Sequence, residues 1–157
     1  MRSQLRSQRG FTMIELIVVI VILGILSATA LPRFIGVQSE ARVAKLNGAR
    51  GAVGSASALA RAAFLVGGSS GATTVNMDGA TITMVNGYAT ANAAGIINAA
   101  NIDTADYNVT GGGAGAGAVL TINVDSGHAG TCTFTYTAST GVGVNPVISA
   151  VNTSNCN

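Results

Sequence analysis

Glu15 is the first residue whose chemistry needs explaining, because it sits near the start of the run "FTMIELIVVIVILGIL". An ionised carboxylate in apolar surroundings costs roughly several kcal/mol unless a cation meets it. No basic side chain follows within two helical turns, and Arg9 lies six residues back. A cut between Gly10 and Phe11 would give Phe11 a positive α-amino group one helical turn (i, i+4) from Glu15. That amine could neutralise Glu15 of its own chain or of a neighbour, and across chains it would fix the axial register between subunits. These residues point to ion pairing in an assembly rather than to catalysis.

Two cysteines, Cys132 and Cys156, lie late in the chain. In a cytosolic protein they would be two inert thiols; behind an export signal a single disulfide is the better reading. Other reactive groups are poorly placed. His128, the only histidine, lies in a Gly-rich turn with no cysteine or carboxylate cluster at metal spacing, so we expect a solvent-exposed turn residue and no metal site. Nothing arranges Ser, Asp and His as a triad. "GGGAGAG" lacks the GxGxxG spacing and precedes a predicted strand, which argues against a nucleotide loop. Asp103 and Asp106 are expected in a solvated turn or helix cap. Four Phe and three Tyr are too few for a conducting path once some serve the core. We expect no enzyme and no cofactor.

Charge has a clear arrangement. Charged residues are 9% of the 157, against about 25% in soluble domains. Arg2, Arg6 and Arg9 precede the apolar run; Arg33, Arg42, Lys45, Arg50 and Arg61 follow it. Beyond Arg61 only Asp78, Asp103, Asp106 and Asp125 carry charge, so that part should not bind nucleic acid.

The elements that must position these residues follow from periodicity. Phe11 to Leu31 is long enough to cross a hydrocarbon core of about 30 Å as a helix. The arginines before it favour keeping residues 1–10 in the cytoplasm and the remainder outside. Pro32 predicts a kink if the helix continues and a stop if it does not. Continuation is favoured, because Leu46, Val53 and Ala60 repeat at seven, with Val43, Ala49, Ala56, Ala63 and Phe64 beside them. Gly48, Gly51 and Gly54 mark either close approach of another backbone or a loose helix. "GGSSG" at 67–71 ends the helix. A hairpin with Asp78-Gly79 at its turn follows, then a short helical turn within "TANAAGIINAA" and a flexible loop at 110–117. Two strands surround a turn near Ser126–Gly130, with Leu120, Ile122 and Val124 on one face of the first. Cys132, Phe134 and Tyr136 share one face of the second, and "VNPVISAV" holds a last strand. The fold class is α+β: a long kinked N-terminal helix packed on a small antiparallel sheet.

"RGFTMIELIVVIVILGILSATALPRF" resembles the processing site and N-terminal helix of type IV prepilins. "ARVAKLNGARGAVGSASALARA", "NGYATANAAGI" and "TCTFTYT…NPVISAVNTSNC" are similar to the mannose-sensitive haemagglutinin class, although Ala89 stands where that class often has Pro. The resemblance implies the pilin fold and four segments: a leader (1–10), a transmembrane and assembly helix (11–36), an amphipathic half-helix (37–66) and a β-rich head with a C-terminal disulfide loop (67–157). It implies that a prepilin peptidase cuts between Gly10 and Phe11 and methylates the Phe11 amine. It implies a helix loosened between Gly24 and Pro32, and a major subunit of a surface filament acting in adhesion or motility. Its partners would be identical subunits, an inner-membrane assembly platform and, before assembly, the lipid bilayer. The rival readings are a pseudopilin of type II secretion, a minor pilin, and a soluble exported protein cleaved after Ala28-Thr29-Ala30.

Overall fold

The computed structural model describes residues 10–67 and 71–157, with only the backbone described at 31–35. Of the expected leader, all but Gly10 lies outside the described residues. The chain divides into two compact units, one ending at Gln38 and one beginning at Ser39.

Helix α1 is assigned over Met13–Val66, through Pro32, and ends just before the Gly-rich stretch. In the first unit every helical side chain described is exposed, from Met13 to Ala30. The Thr29 hydroxyl finds its partner within the helix, donating to Leu26 O at 3.0 Å.

In the second unit the seven-residue repeat of α1 becomes its buried stripe. Leu46, Val53 and Ala60 are fully buried, with Ala49, Ala56 and Ser57 beside them. They pack in one core with Ile82, Met84, Ile96, Leu120, Ile122, Phe134 and Tyr136. Trimming Leu46 to Ala would cost about 2–5 kcal/mol. Gly54 faces Ile148, whose Cδ1 is 3.8 Å from where a Cβ would stand, while Gly48 and Gly51 meet nothing within 4 Å. None of the three glycines is therefore required by close approach of another backbone; Gly54 makes only ordinary contact with a side chain.

Two small antiparallel sheets replace the single expected one. The first contains β1 (Thr74–Met77), β2 (Ala80–Val85) and β3 (Tyr88–Ala89) in sequence order. Asp78-Gly79 and Asn86-Gly87 make its two tight turns, all four residues having positive φ, as two-residue hairpin turns require. A short helical turn, Ala93–Ile97, follows. The second sheet contains β4 (Asn108–Gly111), β5 (Val119–Asn123), β6 (Thr133–Thr137) and β7 (Val147–Ile148). Leu120 pairs with Tyr136 and Ile122 with Phe134, so the anticipated apolar faces coincide. The buried Tyr136 hydroxyl donates to Ala89 O at 2.8 Å, and burial pushes its pKa up to about 12.

The four basic residues of α1 in the second unit have a role that helical periodicity does not reveal. Each donates to a backbone carbonyl of the later chain: Arg42 to Cys156 (2.9 Å), Arg50 to Ser149 (2.7 Å) and Arg61 to Gly87 (3.3 Å). Lys45 donates to Val124 (3.3 Å) and Asp106, with its ammonium 4.5 Å from the centre of the Tyr107 ring. Charge-assisted bonds of this kind satisfy carbonyls that no strand partner reaches.

The stretch 110–117, expected as a flexible loop, begins instead as ordered structure. Gly112 N donates to Val119 O at 2.7 Å and Gly113 N to Ala91 O at 2.8 Å. Gly112 has φ +91°, and a Cβ there would stand 2.3 Å from Ala91 O. Gly112→Ala should therefore destabilise the protein by more than about 1 kcal/mol in denaturant unfolding. Gly115→Ala, which faces open space, should be nearly neutral; equal effects would refute the packing argument.

Candidate functional site

The start of α1 holds Glu15 in a reciprocal arrangement with Thr12, the residue before the first helical position. Thr12 N and Thr12 Oγ1 donate to Glu15 Oε2 at 2.9 and 2.8 Å, and Glu15 N donates to Thr12 Oγ1 at 3.4 Å. This is a capping box: two otherwise orphaned helix donors are satisfied, and the acid complements the positive end of the helix dipole. The T-x-x-E spacing at Thr12–Glu15 is its signal in the sequence.

Among the described residues Thr12, not Phe11, is brought to Glu15. Phe11 is 94% exposed, precedes the helix and is still peptide-bonded to Gly10, so it carries no ammonium. Glu15 Oε1 takes no part in the box. Gly10 is exposed outside the helix, Gly24 lies within α1 with nothing within 4 Å of its Cβ position, and Pro32 lies within α1.

At the other end of the chain Cys132 and Cys156 are joined, with Cα atoms 5.0 Å apart, and both are buried. Closing a loop of this span stabilises a fold by about 3 kcal/mol in the chain-entropy picture. The bridge returns the last residues over the 126–128 turn, which corrects the expectation for His128. Its side chain is 18% exposed, and each ring nitrogen meets an acceptor: Asp125 Oδ1 at 2.7 Å and Asn157 O at 2.7 Å. Arg42 Nε approaches the other Asp125 oxygen at 3.9 Å. Only the imidazolium donates to both acceptors at once. The Asn157 carbonyl, then Asp125, therefore hold the His128 pKa above its ordinary value, against a small opposing push from Arg42. The hydrogen bond from His128 chiefly holds Asp125 below the usual carboxylate range. Asp103 and Asp106 are exposed, Asp103 capping a turn through Ala105 N. Among the described residues no three His, Cys, Asp or Glu side chains converge as a metal site.

Comparison with known proteins adds one match to a family: residues 5–31 fit the prokaryotic N-terminal methylation motif. The chain carries that motif. It is also 50% identical over 52 residues to the type IV narrow pilus major component PilA5 of Thermus thermophilus. That match covers 33% of this chain and 45% of the relative's length. No solved structure matches the chain. The methylation motif spans Gly10, Phe11, Glu15 and Gly24, and the order of elements is pilin-like: a long N-terminal helix, then small antiparallel sheets.

The His128 contacts set a pH window. A raised histidine pKa stabilises fully below about 6.5, and that contribution fades as pH rises through the higher folded value. A lowered Asp125 pKa stabilises above about 4 and fades as pH falls through the folded value. Protection of the 126–132 and 152–157 amides, relative to their intrinsic exchange rates, should thus be greatest between those limits. Exchange should quicken at alkaline pH beyond the intrinsic rise, and His128→Gln should remove that pH dependence.

Proposed function

We propose that the chain is a type IV prepilin of the mannose-sensitive haemagglutinin class, the major subunit of a surface filament whose activity is mechanical and adhesive. Residues 1–10 are the leader, 11–36 the membrane and assembly helix, 37–66 the amphipathic half-helix and 67–157 the head. A prepilin peptidase cuts between Gly10 and Phe11 and methylates the new amine. Before assembly the subunit spans the inner membrane once with its head in the periplasm; an assembly platform then transfers it to a homopolymer. In the filament the Phe11 amine pairs with Glu15 of a neighbour, Gly24 and Pro32 let the helix bend, and the Cys132–Cys156 loop is presented outside.

One observation carries this reading: the methylation motif covers the cut site and Glu15 at the head of a helix whose apolar side chains are exposed on every side. Such a helix must be buried, in lipid or among its own kind. The capping box fits the same scheme, because cleavage after Gly10 leaves Thr12 in place and Glu15 Oε1 open to an ammonium.

The chain recovered from the cell surface should begin at Phe11 and carry one added methyl group in mass spectrometry; any other first residue removes the cation and sinks the proposal. Glu15→Gln keeps groups able to accept from Thr12 but loses the charge. Breaking one partner of a buried ion pair costs about 3–5 kcal/mol, so sheared filaments should disappear while membrane insertion persists. Thr12→Ala, costing about 1 kcal/mol at the helix end, should leave filaments intact.

A further inference from the structure

Arg61 is the last lysine or arginine in the chain, and among the described residues no carboxylate pairs with it. Its guanidinium carbon lies 4.9 Å from the centre of the Tyr88 ring and 5.6 Å from that of Phe64. One N–H donates to Gly87 O at 3.3 Å. Gly87 is required for this stack: it has φ +81°, and a Cβ there would stand 2.0 Å from an Arg61 nitrogen and 2.8 Å from the Phe64 ring. A guanidinium has five donors in one plane. One of these is taken by Gly87 O, and two others side by side are what binds a carboxylate through parallel hydrogen bonds.

Arg61 lines a cleft of 370 Å³ together with Ser57, Tyr88, Asn145, Pro146 and Ile148, a volume at the small end of ligand sites, which run about 300–1,000 Å³. The Tyr88 hydroxyl donates to Asn145 Oδ1 at 2.6 Å, which fixes the carboxamide and leaves its nitrogen as a further donor. The lining combines a stacked cation, an aromatic ring and amide and hydroxyl groups, with Ile148 its one large aliphatic side chain. Arg61 and the Asn145 nitrogen offer donors to a compact anion that also carries hydroxyls.

We infer that Arg61, Tyr88 and Asn145 form a binding site for a carboxylated sugar, with Arg61 holding the uronate carboxylate and Asn145 a ring hydroxyl. The site lies wholly in the second unit and does not depend on cleavage or polymerisation, so its failure and that of the proposed function are separable.

The test is an amide NMR titration of the full-length chain in zwitterionic micelles, using sodium glucuronate and a galacturonate trimer as probes, with glucose and acetate for comparison. Saturable shifts are expected at Gly87 and Asn145 with either uronate, at least about tenfold tighter than with glucose or acetate. Arg61→Gln should weaken uronate binding by at least about tenfold, and Arg61→Lys, which keeps charge but loses the fork, should weaken it less. Tyr88→Leu should weaken it several-fold. Absence of saturable shifts with both uronates overturns the inference, as does equal binding of glucose. Acetate binding as tightly as glucuronate overturns the sugar assignment, and undiminished binding by folded Arg61→Gln overturns the role of Arg61. Should the variants not fold, the wild-type comparison of the four probes decides alone.

Discussion

The apolar side chains of α1 between Met13 and Ala30 have no cover among the described residues, and much else follows from that constraint. A helix apolar on every side is at rest only where no water reaches it. Its backbone polar groups must then be satisfied from within, and the molecule attends to this even at the edges. Thr29 turns its hydroxyl onto the preceding turn, and Thr12 and Glu15 close the first turn between them. An acid at this position therefore has a local use as well as the long-range one proposed for it. The two are compatible because they draw on different oxygens of the same carboxylate.

The second unit solves a different problem, holding two very short sheets and several turns against half a helix with few charges to spend. Ion pairs contribute little: the described residues hold Asp125 with Arg42 and with His128. In their place stands a row of cations on α1, each donating to a main-chain carbonyl. Backbone acceptors do not titrate in the biological range, so these attachments are insensitive to pH in a way that carboxylate partners are not. The Asp125–His128 contact is the exception, and it sits where the disulfide already restrains the chain.

Much of the fold was legible because it rests on periodicity and turn chemistry. Leu46, Val53 and Ala60 declared the buried stripe, alternation placed Ile122 against Phe134, and Asp78-Gly79 announced a hairpin. What escaped notice depends on contacts that spacing does not encode. Asn86-Gly87 carried the same turn signal, yet β3 is two residues long and shows no alternation. The glycines at 111–113 looked loose because glycine frees an isolated chain, whereas here it admits a backbone that no side chain would tolerate. His128 looked solvated because its covering residue, Asn157, lies 29 positions away and is brought back by the disulfide and the Thr133–Asn152 bridge. At the candidate site the sequence displayed Gly10, Phe11 and Glu15 plainly, while Thr12 was hidden by being ordinary.

Crowding every lysine and arginine onto or before α1 has a consequence for proteolysis. Enzymes that cut after lysine or arginine meet no target anywhere from Ala62 to Asn157. Both sheets and the bridged tail are thus refractory to trypsin-like hydrolysis by composition alone, even in moments when they open. Of the four basic residues in the second unit, each is tethered to a carbonyl, so digestion by such enzymes has to await loss of the helix itself.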